Sequence, residues 1–451
     1  MRPVKRGNVI ALAFLALVLH LPVSAKAAVS IERVVSPGGI EAWLVEDHTL
    51  PMVSLNAAFQ GGASLDPEGK VGLAAMVAGL LDEGAGPLDS QAYQGRLEDL
   101  ASSVSFGASE DSFSVVLKSL TANVPQTFDL LRLSLSEPRF DQEPVTRVRG
   151  ELLNNLSRQA QEPRYLASRT FWRTAYGSHP YARPSQGRTA TVNAITVEDL
   201  RRFTRDRLGR DVLLIGVVGD ITPEALKPLL DKTFGGLPAK AAPGVVADTP
   251  AVTDGATLLV KKPIPQSVVT FGEPGILRSD PDWYAALLVS TVLGGSSLTS
   301  RLALEIREKR GLAYGVNVGM APLKHSGVIL GSVATANARI AQSIDIIRQE
   351  WRRMRDDGPT EEELQDTKRY LTGSFPLSLD STGSVASLLV LIQQDKLGID
   401  YLEKRSALIN GVTLDEAKRV ARRLFDPDKL TFVVVGSPDE LPNAREVTPG
   451  G

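Results

Sequence analysis

Two stretches of this 451-residue chain repeat one another at a constant offset. In the first, Ala194-Ile195-Thr196-Val197-Glu198-Asp199-Leu200 leads through Arg205-Asp206-Arg207-Leu208 to Val212-Leu213-Leu214-Ile215-Gly216-Val217-Val218-Gly219. In the second, Gly411-Val412-Thr413-Leu414-Asp415-Glu416-Ala417 leads through Arg423-Leu424-Phe425 to Leu430-Thr431-Phe432-Val433-Val434-Val435-Gly436. Thr196 and Thr413 stand 217 positions apart, and so do Gly219 and Gly436. Each copy reads as a Thr-capped helix running into a buried strand. A supersecondary unit written twice restricts the chain to two like halves.

The beginnings of the halves agree with this. In the first, strands at about 41–46 and 53–60 precede helices at 70–83 and about 90–102. A hairpin follows, in which Val104, Phe106 and Ala108 and then Phe113, Val115 and Leu117 alternate with polar neighbours. In the second, strands at about 256–261 and 266–272 precede helices at about 282–294 and 297–310. Its hairpin runs from Tyr314 to Met320 and from Gly327 to Val333, turning at Leu323-Lys324-His325-Ser326. Strands and helices come in separate runs, which predicts an α+β class with mainly antiparallel sheets. Residues 237–255, rich in Pro, Ala and small polar side chains without periodicity, read as a linker. The expected organisation is a domain at 28–236, a tether, and a second domain at 256–451, arranged as a clamshell.

The first 27 residues stand apart. Arg2, Lys5 and Arg6 precede an apolar stretch from Val9 to Leu21, and Ala25 and Ala27 suit a small-x-small cleavage site. This reads as a cleaved signal peptide at 1–27, too short to be a stable membrane anchor. Formal net charge is −2, from 50 basic and 52 acidic side chains, and no basic field suggests nucleic acid. The complete absence of cysteine excludes disulfides, thiolate metal sites and a cysteine nucleophile. Export to a bacterial periplasm fits these features.

Ligands for a metal are scarce. Beyond the signal segment only His48, His179 and His325 remain, each in a loop or hairpin tip, and no two form a one-turn pair. Neither a Gly-rich phosphate loop nor a nucleophile elbow is present.

Several segments together carry a resemblance. They are Ala58-Phe59-Gln60-Gly61-Gly62-Ala63-Ser64-Leu65-Asp66-Pro67, then Gly72-Leu73-Ala74, then His179-Pro180-Tyr181 with Arg183-Pro184 and Gly187. The most specific is Leu293-Gly294-Gly295 with Ser300-Arg301-Leu302 and Glu305-Ile306-Arg307-Glu308-Lys309-Arg310-Gly311-Leu312-Ala313-Tyr314. Over essentially the whole mature chain the sequence is similar to the pitrilysin/insulinase zinc peptidases, in the shorter type that includes mitochondrial processing peptidase. The family's H-x-x-E-H motif places two ligands and a general base on one helix. The matching positions here are Ala75, Met76, Val77, Ala78 and Gly79. Ala75, Ala78 and Gly79 share a helical face that carries no ligand and no base. Gly79 inside a helix costs about 1 kcal/mol against Ala, which suggests close packing against a neighbour. The family's distant third ligand corresponds to Glu151, which reads as a relic or an ordinary helix-face residue because catalytic zinc keeps three protein ligands.

The second half keeps more of the family pattern. Leu298, Leu302 and Ile306 form an apolar stripe behind the cap candidates Ser296 and Ser297, and Gly311 is placed to end the helix. Arg307 and Tyr314 match a family pair that hydrogen-bonds substrate near the zinc. A simpler alternative is that Arg307, Lys309 and Arg310 complement the helix dipole while Tyr314 is a strand aromatic. The resemblance implies a non-catalytic subunit, inactive alone, of a heterodimeric periplasmic zinc peptidase. It would carry no cofactor of its own, and Arg307 and Tyr314 would act in trans on a partner that carries H-x-x-E-H and zinc. The substrate would be a peptide or unfolded protein. The alternative is a stand-alone peptide-binding or structural descendant of the fold.

Overall fold

The repeated unit becomes two six-stranded sheets with one plan. The structure, a computed structural model, describes residues 30–295 and 298–449; the expected signal peptide and the cap candidates Ser296 and Ser297 lie outside the described residues. The first half supplies β1 (Glu32–Val35), β2 (Glu41–Glu46), β3 (Met52–Gln60), the short pair β4 (Gly84–Ala85) and β5 (Leu88–Asp89), then β6 (Ser103–Ala108), β7 (Ser112–Leu120) and β8 (Leu213–Gly219). The second half supplies β9 (Thr257–Lys261), β10 (Gln266–Pro274), β11 (Ala313–Leu323), β12 (Ser326–Ala336), β13 (Thr431–Gly436) and β14 (Arg445–Glu446). One sheet runs β1-β2-β8-β3-β7-β6 and the other β14-β9-β13-β10-β12-β11. All neighbours are antiparallel except β2 with β8, β9 with β13 and β9 with β14.

Helices α1 (Leu73–Ala78), α2 (Ser90–Asp99), α3 (Val124–Ser136), α4 (Gln142–Gln159), α5 (Pro163–Tyr176), α6 (Thr189–Ala194), α7 (Val197–Arg207) and α8 (Pro223–Phe234) belong to the first half. The second half has α9 (Trp283–Gly294), α10 (Ile340–Asp357), α11 (Glu361–Gly373), α12 (Thr382–Gln394), α13 (Tyr401–Asn410) and α14 (Leu414–Leu424). The repeat is visible atom by atom at α7 and α14. Thr196 Oγ1 accepts from the N–H of Asp199, whose carboxylate accepts from the N–H of Thr196, and Thr413 and Glu416 make the same exchange. The α+β expectation therefore holds, with antiparallel pairing dominant.

Each sheet buries one face under its own helices. Leu55, Phe59, Phe113 and Val217 meet Met76, Phe128 and Leu200 in the first core, and Phe271, Phe432 and Val434 meet Val289, Trp351 and Ala421 in the second. The opposite faces are covered by exchange. Helix α5 of the first half lies on β10 and β13 of the second, burying Leu166, Phe171 and Tyr176 with Val260, Val433 and Val435. Helix α12 of the second half lies on β3 and β8 of the first. Asn56 Nδ2 donates to the carbonyl of Gly383 at 3.2 Å, and Gln393 Nε2 donates to that of Ile215 at 3.0 Å. Ile31–Gly451 consequently form one compact unit.

The expected linker contains neither helix nor strand, yet it is tied down. The N–H of Thr249 donates to His325 O at 2.9 Å and that of Val252 to Ala175 O at 2.8 Å. Hydrogen bonds replace periodicity there, which is why composition alone reads it as a free tether.

Gly216 marks how closely α12 approaches. A Cβ at that position would stand 2.6 Å from Ala386 O and 2.8 Å from Leu389 Cβ. Gly216→Val should therefore push α12 off the sheet, destabilising the fold by about 1–3 kcal/mol and speeding proteolysis within α12; denaturant titration and limited digestion check this. A second expectation concerns acid. Arg419 donates to both Asp282 oxygens, at 2.9 and 2.5 Å, and with Arg423 holds that carboxyl down at about 2. A depressed folded value stabilises above the unfolded value near 4 and is lost as pH falls toward 2. With both arginines about half exposed, the loss should be on the order of 1 kcal/mol and absent in Asp282→Asn, read from acid titrations of the melting midpoint.

Candidate functional site

The segment that matches the zinc helix is shorter than its pattern predicts. A helix over 70–83 is expected, but α1 spans Leu73–Ala78, preceded by a single 3₁₀ turn at Glu68–Lys70. Gly72 takes φ +98°, a left-handed conformation that breaks the helix from the turn before it. Asp66, 3% exposed, accepts from the N–H groups of Gly72 at 3.0 Å and Ala74 at 3.2 Å, and so caps α1 from outside its own sequence. Burial pushes the Asp66 carboxyl up to about 7, while those N–H groups and the Arg207 charge pull against the rise.

Gly79 is not inside the helix, as the pattern suggests, but is its C-cap. Two acidic residues, Asp82 and Glu83, follow it, and negative charge beyond a helix C-terminus opposes continuation. A Cβ at Gly79 would stand 3.0 Å from a methyl of Val148 on α4, so the expected close packing is present. Ala78 is buried and Ala75 half-buried. The face offers methyl groups and a hydrogen, none of which can coordinate a metal.

Glu151 is also committed elsewhere. It is exposed on α4 and pairs with Arg147 at 3.0 Å, one turn earlier. Arg147 also binds Glu83 and approaches Glu143 at 3.7 Å, so one guanidinium is shared by three carboxylates. Burial pushes nearby Asp82 up to about 6, with Glu83 adding to the rise and Arg147 opposing it. Among the described residues, no three His, Asp or Glu side chains are placed to share a cation. The donor set does not fit a zinc ion. The Arg147–Glu151 pair was legible as an i, i+4 spacing on a helix, although Arg147 attracts no attention by sequence motif alone.

The three histidines occupy loops as expected, but two of them meet. His48 Nδ1 is 2.6 Å from Asp220, and that hydrogen bond raises its pKa above the usual histidine value. His179 accepts at Nδ1 from the N–H of Tyr181, so its Nε2 carries the proton and donates to Ala247 O at 2.9 Å. His325 contacts Asp248 at 2.7 Å, and its backbone N–H donates to the Tyr181 hydroxyl at 3.1 Å. That hydroxyl donates to Asp111 at 2.7 Å, and Asp111 accepts from the N–H of Lys324 at 3.0 Å. Tyr181 thus lies between His179 and His325 as a buried peg joining the second hairpin tip to the first half. No sequence spacing reveals this seam, because apart from His179 with Tyr181 its contacts join residues more than 60 positions apart.

In the second half the structure brings Arg307 and Tyr314 together. The expected helix over 297–310 is instead a π-helical turn at Ala303–Glu308, where Lys309 N–H reaches back to Leu304 O. The wider turn and the later start also break the expected stripe: Leu302 and Ile306 are fully buried, but Leu298 is 56% exposed. Gly311, at φ +56°, ends the turn as expected. Arg301 anchors it from below, binding Glu363 through two 2.7 Å contacts while almost fully buried. Lys309 and Arg310 both bind Glu305. Arg307 behaves differently, contacting Glu308 at 3.2 Å and stacking its guanidinium 4.9 Å from the Tyr314 ring centre. Tyr314 is 88% exposed.

Comparisons with known proteins agree with this geometry. Residues 194–371 match the family described as "Peptidase M16 inactive domain". A Helicobacter pylori protein named a non-peptidase homolog, YmxG, is 25% identical over 87% of this chain and 90% of its own. The beta subunit of mitochondrial-processing peptidase from Lentinula edodes is 21% identical over 77% of each chain. The crystal structure of a peptidase M16 inactive domain from Pseudomonas fluorescens superposes with a TM-score of 0.84 at 27% identity, covering 91% of this chain and 98% of that one. In sequence and in fold, the chain is similar to inactive domains of the pitrilysin/insulinase (M16) peptidases.

Proposed function

We propose that this chain is the non-catalytic subunit of an exported, periplasmic zinc peptidase pair, and that it presents Arg307 and Tyr314 to a partner bearing H-x-x-E-H. One observation carries the reading: the helix that would hold metal is stripped of every donor, while the Arg307–Tyr314 pair persists, stacked together and open to solvent. A purely structural descendant gains nothing from an 88% exposed tyrosine held against an arginine.

The pair suits amide chemistry. The Tyr314 hydroxyl donates one hydrogen bond to a peptide carbonyl oxygen as negative charge gathers on it, and such a donor acts more strongly as charge develops. The Arg307 guanidinium keeps N–H groups available for a second carbonyl and orients the ring by stacking beneath it. The peptide itself would lie extended along a sheet edge, where main-chain hydrogen bonds hold any sequence. The mitochondrial-processing peptidase relative, named as a subunit, supports the idea of a divided enzyme. The H. pylori relative's name as a non-peptidase homolog favours the second reading, a stand-alone peptide binder.

Purified alone, the chain should contain no stoichiometric zinc and cleave no peptide; metal analysis and a peptide-hydrolysis assay test this, and zinc-dependent turnover would refute the proposal. Paired with an H-x-x-E-H subunit from the same genome, it should support hydrolysis. Tyr314→Phe should then lower kcat by about a hundredfold with assembly unchanged on a sizing column. Arg307→Ala should raise KM more than it lowers kcat. Unchanged kinetics in both variants would return the pair to a structural role, and failure to bind any such subunit would leave the stand-alone reading.

A further inference from the structure

Beside Tyr314 a cavity of 810 Å³ opens over the part of the second sheet that α5 leaves uncovered. Its floor is the face of β10, β11 and β12 that carries Val268, Thr270, Asn317 and Ser332. Every charge on its lining is positive: Arg164, from α5 of the first half, and Arg339, just ahead of α10 in the second. No Asp or Glu is among the lining residues. This does not reflect a basic protein, because acidic side chains outnumber basic ones by 52 to 50 over the whole chain. The nearby acids are engaged outside the cavity. Glu162 accepts from the backbone N–H of Arg164 as an N-cap, and Glu308 pairs with Arg307. Arg339 spends one N–H on Gly311 O at 2.8 Å, leaving the rest of its fork free. Arg164 is exposed.

The backbone beside this cavity is suited to an extended guest. β11 ends its sheet, with no strand on its outer side among the described residues. Its pairing with β12 shifts register between Ala313 and Val316, so Tyr314 and Gly315 bulge at the cavity rim. Bulges of this kind turn an edge strand and re-aim its side chains. A bare edge with small and polar residues on the floor accepts a peptide backbone with little regard to sequence, and the arginines above it supply selectivity.

We infer that this cavity selects extended peptides with acidic side chains, which Arg164 and Arg339 receive from opposite halves of the chain. The inference rests on the reading of this chain as a peptide-binding subunit and specifies which peptides it takes. Two guanidiniums with no competing carboxylate bind a carboxylate by charge-assisted hydrogen bonds and repel lysine-rich segments.

Fluorescence anisotropy on the isolated chain tests this, using labelled extended peptides that carry Glu or Gln at the same alternate positions. The Glu peptide should bind at least about tenfold more tightly, with a preference that shrinks as salt rises. Arg164→Gln, whose native side chain supports no other contact that would threaten folding, should reduce the preference. Arg164→Gln with Arg339→Gln should abolish it while leaving the Gln peptide's affinity unchanged. Equal binding of the two peptides, or an undiminished preference in the double variant, would overturn the inference but not the subunit proposal. Binding of neither peptide would overturn both. Tighter, arginine-dependent binding of a single-stranded oligonucleotide at the same site would overturn the peptide assignment. No catalytic partner is needed, so failure to find one leaves this test intact.

Discussion

The exchange of helices between the halves is the constraint on which the rest of this structure depends. A sheet with one face packed on its own helices still has a second face to cover, and here each half covers the other's. Helix α5 lies on β10 and β13 and α12 on β3 and β8, so neither sheet is complete without the opposite half. The contact is close enough that Gly216 has no room for a Cβ beneath α12. Because the exchange fixes the halves against one another, loops remote in sequence become neighbours. Tyr181, Asp111 and His325 form their hydrogen-bonded seam on that foundation. The cavity beside Tyr314 exists for the same reason, since α5 covers only part of the second sheet.

The short helix α1 presents no ligand to a metal and is packed closely on one side. The face of α1 carries alanine and glycine, and α4 has closed against it through Val148. The carboxylates nearby share the guanidinium of Arg147. Carboxylates this close repel one another, and an arginine among them relieves part of that repulsion.

Much of the chain was legible before its coordinates. The strands, the two hairpins and the Thr-capped helices follow from period and capping chemistry, which depend on neighbours a few residues apart. Where the pattern erred, the cause was a specific contact that periodicity does not carry. Helix α1 is short because Asp66 and Gly72 set its start and the acids after Gly79 oppose its continuation. Ala303–Glu308 wind as a π-helical turn next to Arg301, which is held by Glu363, 62 residues further on, and Leu298 falls outside the apolar stripe.

The sequence by itself determined that this protein has two like α+β halves, since repetition and periodicity are properties of the chain. Only the tertiary structure decided which helix covers which sheet, that Arg307 stacks on Tyr314, and that Arg164 and Arg339 share one cavity free of acids. Those pairings join residues more than 300 positions apart, as in Asn56 with Gly383. No local preference encodes a contact across such a distance; it arises when both sheets bury their remaining faces in a single packing.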